Sequence, residues 1–257
     1  MEDAELITLH KALWKPGSIS ITAGEAVFIK HLIARCKPKV FLELGTAAGV
    51  STVLIFKVLS DVTNGRMITV DLNRNFVGGT DKPTGYMIDE HIASDDRLTR
   101  IVGVTSADLD SSVTSGIEMC FIDANHQHPW PTLDTLFLWP LIAQRGVLIY
   151  HDLRLYQKAQ GAPGIGPKFL FDQFPNEGKT VISDPDRNVF SLIKSHSDAD
   201  FHRWMIDSLL LPWTLKRALS LSMATKIAKR LSELYPQSVA NAFSIAFDRY
   251  NANTAGG

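Results

Sequence analysis

The chain has 257 residues, 45% of them hydrophobic and 21% charged. That is ordinary globular usage and excludes a disordered, collagenous or acidic solvating chain. Lys and Arg number 26 against 27 Asp and Glu, a net charge of −1, which argues against a dedicated nucleic-acid binder with a strongly basic face.

Residues 1–15 are polar with helical character, and Pro16-Gly17 marks a turn. From Thr22 to Cys36, Ala26, Ile29, Leu32 and Ile33 fall at helical spacing, Thr22 and Glu25 form a capping-box pattern, and Lys37-Pro38 ends the helix. Short apolar runs then alternate with helical segments. Val40–Leu44, Met67–Asp71, Leu98–Val104, Glu118–Asp123 and Gly146–Tyr150 read as strands, with helices at Ser51–Leu59 and Thr132–Ile142. Strands of this kind belong to a parallel sheet covered on both faces. Thr180–Ser183 and Val189–Ile193, joined by Asp184-Pro-Asp-Arg-Asn188, read as an antiparallel hairpin at the sheet edge. Two glycine- and proline-bearing loops, 73–85 and 157–167, follow strand ends, where open α/β sheets bind ligands. After about residue 196 the sheet pattern stops. From Pro212 on, Leu215, Leu219, Met223, Ile227 and Leu231 recur every fourth residue, predicting an amphipathic helix with a basic opposite face. Residues 201–250 hold seven Lys/Arg and three acids, leaving 19 bases and 24 acids elsewhere. The near-neutral sum therefore joins an acidic body, 1–195, to a basic helical extension, 196–257.

Cys36 and Cys120 make neither a disulfide framework nor a CxxC pair, so a cytoplasmic location is expected. The N-terminus MEDAELITLHKALW lacks the apolar run of a signal peptide, and no stretch reaches the roughly 18 apolar residues of a membrane-spanning helix.

The first motif is Glu43-Leu-Gly45-Thr46-Ala-Ala-Gly49-Val-Ser51. A strand enters a glycine turn and then a helix, so backbone and free N–H groups can approach a ligand closely. The spacing is neither GxGxxG nor a phosphate loop, and Glu43 before the turn suits a ligand with a cationic amine. Val-Phe-Leu-Glu-Leu-Gly-Thr-Ala-Ala-Gly resembles the nucleotide-binding motif of class I S-adenosylmethionine-dependent methyltransferases, where the turn lies against the methionine part of the cofactor. Asp71 ends the second strand, 22 residues after Gly49, where an acid can hydrogen-bond ribose hydroxyls. In the resembled family the segment after the third strand contacts adenine; here that segment carries Thr105, Ser106 and Asp108.

Phe121-Ile-Asp123-Ala-Asn-His126 resembles the fourth-strand motif of small-molecule O-methyltransferases within that family. Asp123 would lie near the transferred methyl. His126 either removes the acceptor's proton or orders the loop. Tyr150-His151-Asp152 ends the fifth strand, and the resembled group often has His-Asp there. His151 is a further catalytic candidate. Asp123 and Asp152 are candidate ligands for Mg²⁺. Leu153 follows where relatives place a third ligand, and a histidine in the set would make a transition metal as reasonable.

The resemblance spans residues from about 20 to 195. It implies a Rossmann-like, doubly wound, mostly parallel seven-stranded sheet with an antiparallel edge strand, plus C-terminal helices. It also implies S-adenosylmethionine as cofactor and in-line methyl transfer to a sugar, phenol or natural-product hydroxyl, with Glu43, Gly45, Thr46, Gly49, Ser51, Asp71, Thr105, Ser106 and Asp123 around the cofactor. The rival reading is a non-catalytic cofactor-binding fold. In it, the basic helices bind a membrane or protein partner; a homodimer or membrane-surface contact through 200–250 belongs here. An NAD-linked oxidoreductase lacks its glycine spacing. A nucleic-acid methylase lacks the Asn/Asp-Pro-Pro-aromatic motif, so no nucleic-acid partner is expected.

Overall fold

The computed structural model describes residues 1–14, 20–78, 81–112, 114, 116–158, 160–183 and 187–255. The turn expected at Pro16-Gly17, Gly79 of the first loop and Asp184-Pro185-Asp186 of the hairpin lie outside the described residues.

Seven strands form one sheet: β1 (Val40–Leu44), β2 (Arg66–Asp71), β3 (Leu98–Val102), β4 (Ile117–Ile122), β5 (Ile142–Tyr150), β6 (Lys179–Val181) and β7 (Phe190–Ile193), in the order β3-β2-β1-β4-β5-β7-β6. β1 to β5 are parallel, and β7 runs antiparallel between β5 and the three-residue β6. Sheet order reverses between β1 and β4, the crevice where such sheets bind ligands. The register pairs Leu44 with both Val70 and Ile122, and Ile122 with Tyr150. Four strands thus end level at one edge.

Strand parity sorts the core. Leu42, Ile68, Cys120, Leu148 and Tyr150 point to one face; Phe41, Met67, Met119, Phe121 and Ile149 point to the other. The second face is covered by α1 (Asp3–Leu13), α2 (Ala23–Cys36) and α3 (Val50–Thr63), through residues such as Leu6, Ile29 and Leu54. The first is covered by α5 (Trp130–Leu138), α7 (Asp198–Leu209), α8 (Leu221–Leu234) and α9 (Gln237–Ala255). Both faces are buried, so the strands read as apolar runs rather than alternations.

Several helix boundaries differ from expectation, and α3 runs on past Leu59 to Thr63. Thr132–Ile142 does not continue as one helix: α5 ends at Leu138 and a 3₁₀ turn spans Trp139–Leu141. Pro140 brings no N–H to extend the helix, and Ile142 already belongs to β5. The C-terminal stripe does not begin a helix at Pro212. Residues 211–220 run without helix, and Ser220 caps α8, its Oγ accepting from the Met223 N–H at 3.2 Å. The short helices α4 (Tyr86–His91) and α6 (Gly166–Gln173) are not apparent from periodicity. Among the described residues no helix is long and apolar enough to cross a membrane.

Candidate active site

Gly45 leaves β1 with φ 99°, and a Cβ there would lie 2.1 Å from the Asp123 carbonyl oxygen. Only glycine lets the ends of β1 and β4 approach this closely. The next two N–H groups, of Thr46 and Ala47, each donate to Asp71 Oδ2 at 3.0 Å, and Asp71 Oδ1 accepts from the Asn73 N–H. Asp71 lines the cleft and also braces the turn.

Glu43 and Gly49, expected at the cofactor, do not line the cleft. Parity turns Glu43 away, beneath the turn, where it is fully buried and accepts hydroxyl hydrogen bonds from Ser51 (2.6 Å), Thr52 and Thr69 (2.6 Å). Burial pushes its carboxyl up to about 7, against those three hydrogen bonds. Gly49, φ 93°, instead allows close packing: a Cβ would come within 2.9 Å of Ile88 and 3.1 Å of the Gly85 Cα. Ser51 lines the cleft with its hydroxyl committed to Glu43.

Thr105 and Ser106 line the cleft beyond β3. Asp108 is occupied elsewhere: its Oδ2 accepts from Thr105 N–H and O–H, and its Oδ1 pairs with Lys226 of α8 at 2.6 Å. The Ser106 hydroxyl donates to Asp134 of α5 at 2.6 Å. Burial pushes Asp134 up to about 7. Nothing in the sequence marks this cleft carboxyl apart from other helical acids.

The ends of β4 and β5 bring Asp123, His126, His151 and Asp152 together, one ligand-type atom of each within 4.8 Å of the others. Asp123 Oδ1 accepts from His126 Nε2 (3.1 Å) and His151 Nδ1 (3.0 Å), and His126 Nε2 also lies 3.4 Å from Asp152 Oδ2. Burial would raise the Asp123 carboxyl, yet the charge on His151 and the two imidazole hydrogen bonds hold it well below the carboxylate range. Asp152 adopts a left-handed φ of 59° and accepts from the Asn188 amide at 2.9 Å.

His151, expected as a catalytic candidate, is placed behind Asp123 rather than free to meet a substrate. It is buried, and both ring nitrogens are committed: Nδ1 to Asp123, and Nε2 to Glu25 of α2 at 3.2 Å. Burial opposes its charge, but Asp123, Glu25 and Asp152 together raise it well above the ordinary histidine range. Its ring holds Asp123 from behind, at 3.0 Å. Glu25 and Asn188 are site residues that the sequence pattern misses; the only local signal at Glu25 is its capping box. His128 lies off the site, buried edge-on against Phe169 and pushed down to about 3 by burial.

Asp71, Thr105, Ser106, Asp134 and the Asp123, His126, His151 and Asp152 cluster line one cleft of about 1350 Å³. A ligand pocket is commonly about 300–1,000 Å³, so two ligands fit side by side.

A switch-point cleft with a glycine turn and strand-end acid on one side, and an acid–imidazole cluster on the next two strands, has the layout of a class I methyltransferase fold. Residues 42–153 match the family described as a methyltransferase domain. The chain is 30% identical over 157 residues to catechol O-methyltransferase of Niastella koreensis, covering 59% of this chain. The match spans 66% of that relative's length. Among solved structures, the O-methyltransferase TomG of Streptomyces achromogenes in complex with SAM is 17% identical with TM-score 0.54, over 75% of this chain and 89% of that one. The SAH-bound Podospora anserina methyltransferase PaMTH1 is 13% identical with TM-score 0.56, over 76% and 88%. At such identities the structural likeness speaks for the fold.

Proposed function

We propose that this chain transfers a methyl group from S-adenosylmethionine to a hydroxyl oxygen of a small molecule. The observation that carries this reading is that Asp123, His126 and Asp152 share one cleft with the Gly45 turn and Asp71. The cradle fits the cofactor: a turn without a Cβ at Gly45, Asp71 at the rim for ribose hydroxyls, and Thr105 and Ser106 beyond β3 for the base.

When bound, the cofactor supplies a methyl already activated on a sulfonium. The chain's residues must align the acceptor and take its proton. Positioning alone supplies up to about 7–11 kcal/mol of barrier lowering in favourable systems. With Nε2–H held by Asp123 and Asp152, His126 keeps a lone pair on Nδ1, the nitrogen that removes the proton. The resulting imidazolium is then stabilised by the two carboxylates that orient it. His151 and Glu25 hold Asp123 from behind, and Asn188 holds Asp152.

The same cluster fits a divalent cation. Asp123, Asp152 and His126 would hold it, and it would acidify the acceptor hydroxyl. A nitrogen in the set suits a transition metal as well as Mg²⁺.

The test is calorimetry with S-adenosylhomocysteine followed by transfer of labelled methyl to a panel of hydroxyl acceptors. Saturable binding is expected, weakened about tenfold or more by Asp71→Ala, as for a lost hydrogen bond to a charged group. His126→Ala should lower turnover by about 10²–10⁴-fold with cofactor affinity little changed. A folded protein that gives no heat at millimolar cofactor overturns the reading. Turnover that survives chelation while depending on His126 assigns the base, and loss on chelation restored by one metal assigns the cation. Binding without turnover on any acceptor would favour the non-catalytic alternative.

The apolar side of α8 (Ala224, Ile227 and Leu231) faces the body, so a membrane or homodimer contact through 200–250 rests on its charged face. The cytoplasm is the compartment that the free Cys36 and Cys120 suit.

A further inference from the structure

We infer that the methyl acceptor carries an anionic group, a carboxylate, sulfonate or phosphate, received by Arg154 and Lys158 of the loop after β5 and by Arg217 of the segment before α8. This deepens the methyl-transfer reading and rests on it. All three side chains line the cleft.

The argument is a contrast of charges. Every acid lining the cleft already has a donor in the protein: Glu25 has His151, Asp71 the Thr46 and Ala47 amides, Asp123 two imidazoles, Asp134 the Ser106 hydroxyl, and Asp152 the Asn188 amide. Among the described residues, none of the three cationic side chains has an acid or hydrogen-bond acceptor. An anion entering the cleft therefore finds three cations without a protein partner, whereas each carboxylate there is already held by a donor, and opposite charge both steers and orients a ligand.

The three cations come from segments that the structure ties together. Thr214 donates its hydroxyl to Pro163 O at 2.6 Å and its N–H to His128 O at 2.9 Å, and Lys216 N–H donates to Gln127 Oε1 at 2.8 Å. Arg217 thus follows directly on a segment pinned to the loops after β4 and β5. The loop after β5 is held by N–H to carbonyl bonds from Leu155 to Asp152, Lys158 to Leu155, and Gly161 to Lys158. It sets Arg154 and Lys158 next to the Asp152 end of the cluster. Apolar walls at Trp130, Leu155, Leu219 and Met223 suit the organic body of such an acceptor.

The cofactor's own carboxylate is the other anion these cations could meet. The test separates the two sources. The probe is the anionic dye 8-anilinonaphthalene-1-sulfonate, with neutral N-phenyl-1-naphthylamine as its control, each titrated into protein with and without bound S-adenosylhomocysteine. Saturable binding of the anionic dye to the loaded protein is expected. It should weaken with added salt and fall about tenfold or more in the Arg154→Gln, Lys158→Gln, Arg217→Gln variant, as for the joint removal of several partly exposed charges. The neutral dye should bind that variant as it binds the wild type. An unchanged thermal midpoint establishes that the variant is folded; where it is not, Arg217→Glu at an exposed position must weaken the anionic dye and Arg217→Lys must not.

The inference is overturned if the substitutions leave anionic-dye affinity unchanged, if the neutral dye loses as much, or if loading abolishes anionic binding, which would give the cations to the cofactor carboxylate. Failure of the methyl-transfer reading is seen separately, as absence of S-adenosylhomocysteine binding, and leaves the dye result in unloaded protein readable.

Discussion

A Cβ at position 45 would have to share space with the carbonyl of Asp123, 2.1 Å away, on a backbone at φ 99°. Gly45→Ala combines a left-handed conformation, costing about 1–2 kcal/mol for an L residue, with forced separation of β1 from β4. A loss of about 3 kcal/mol or more in urea unfolding is expected, together with loss of cofactor binding. A variant within about 1 kcal/mol of wild type would show that the turn yields. Asp134 makes a different prediction. Its carboxyl is pushed up to about 7 from 3.8. Between those values the folded chain holds a proton that the unfolded chain has released. Stability therefore falls as pH rises through that window and levels off above about 7, by at most about 4 kcal/mol. Asn keeps an oxygen for the Ser106 hydroxyl and does not ionise. Asp134→Asn should match wild type near pH 4 and exceed it near pH 8. Equal urea midpoints at both pH values would mean that the carboxyl ionises without cost. Glu43 shifts in the same direction, so the variant keeps part of the slope.

α2 contributes to the site from behind the sheet. Glu25 Oε2 accepts from the Thr22 N–H at 2.6 Å, closing the capping box, and the same oxygen faces His151 Nε2. Glu25→Gln retains a cap acceptor while removing the charge that faces the buried His151 ring, whose protonation Glu25 favours. Breaking such a pair costs about 3–5 kcal/mol, and a loss of that order should appear in urea unfolding at neutral pH. A loss under about 1 kcal/mol would show that His151 is neutral. The elements themselves are unevenly legible. β1 occupies Val40–Leu44 as its apolar run predicts, because burial on both faces removes the need for alternation. α8 starts six residues after the position its four-residue stripe extends back to, because Ser220 caps it and Leu215 and Leu219 sit in the preceding irregular segment. The site follows the same division. Asp71, Asp123, His126, His151 and Asp152 stand at or just past strand ends, where the sequence pattern points to chemistry. Glu25 and Asn188, 163 positions apart, are joined by a 3.3 Å hydrogen bond that only tertiary packing creates. Glu43 departs from its expected place at the cofactor because the run of apolar residues conceals which face each strand position occupies.

At the scale of the whole molecule, the change of pattern near residue 196 does not coincide with a break in the core. Phe201, Met205, Leu209, Ile227, Leu231 and Phe243 are all nearly inaccessible and share one apolar cluster with Leu42, Ile68 and Cys120 of the sheet. Phe201 stacks on Trp139 at 3.9 Å between centroids. Trp213 packs against Phe243, Phe247 and Tyr250 of α9 and donates its indole N–H to Leu209 O at 3.0 Å, anchoring the segment that carries Arg217. The basic C-terminal part also meets the acidic body directly, through Lys226 and Asp108. Burying six large apolar side chains contributes about 1.5–3 kcal/mol each, roughly 9–18 kcal/mol in all, against a typical net stability of about 5–15 kcal/mol. A chain ending at residue 195 would lose that burial and expose the apolar sheet face beneath it. We therefore expect the truncated chain to accumulate in the insoluble fraction or to lack a near-ultraviolet dichroism signal, and to show no cooperative melting. Cooperative melting within about 10 °C of the full chain would instead make 1–195 an independent domain, with the helices an addition to it.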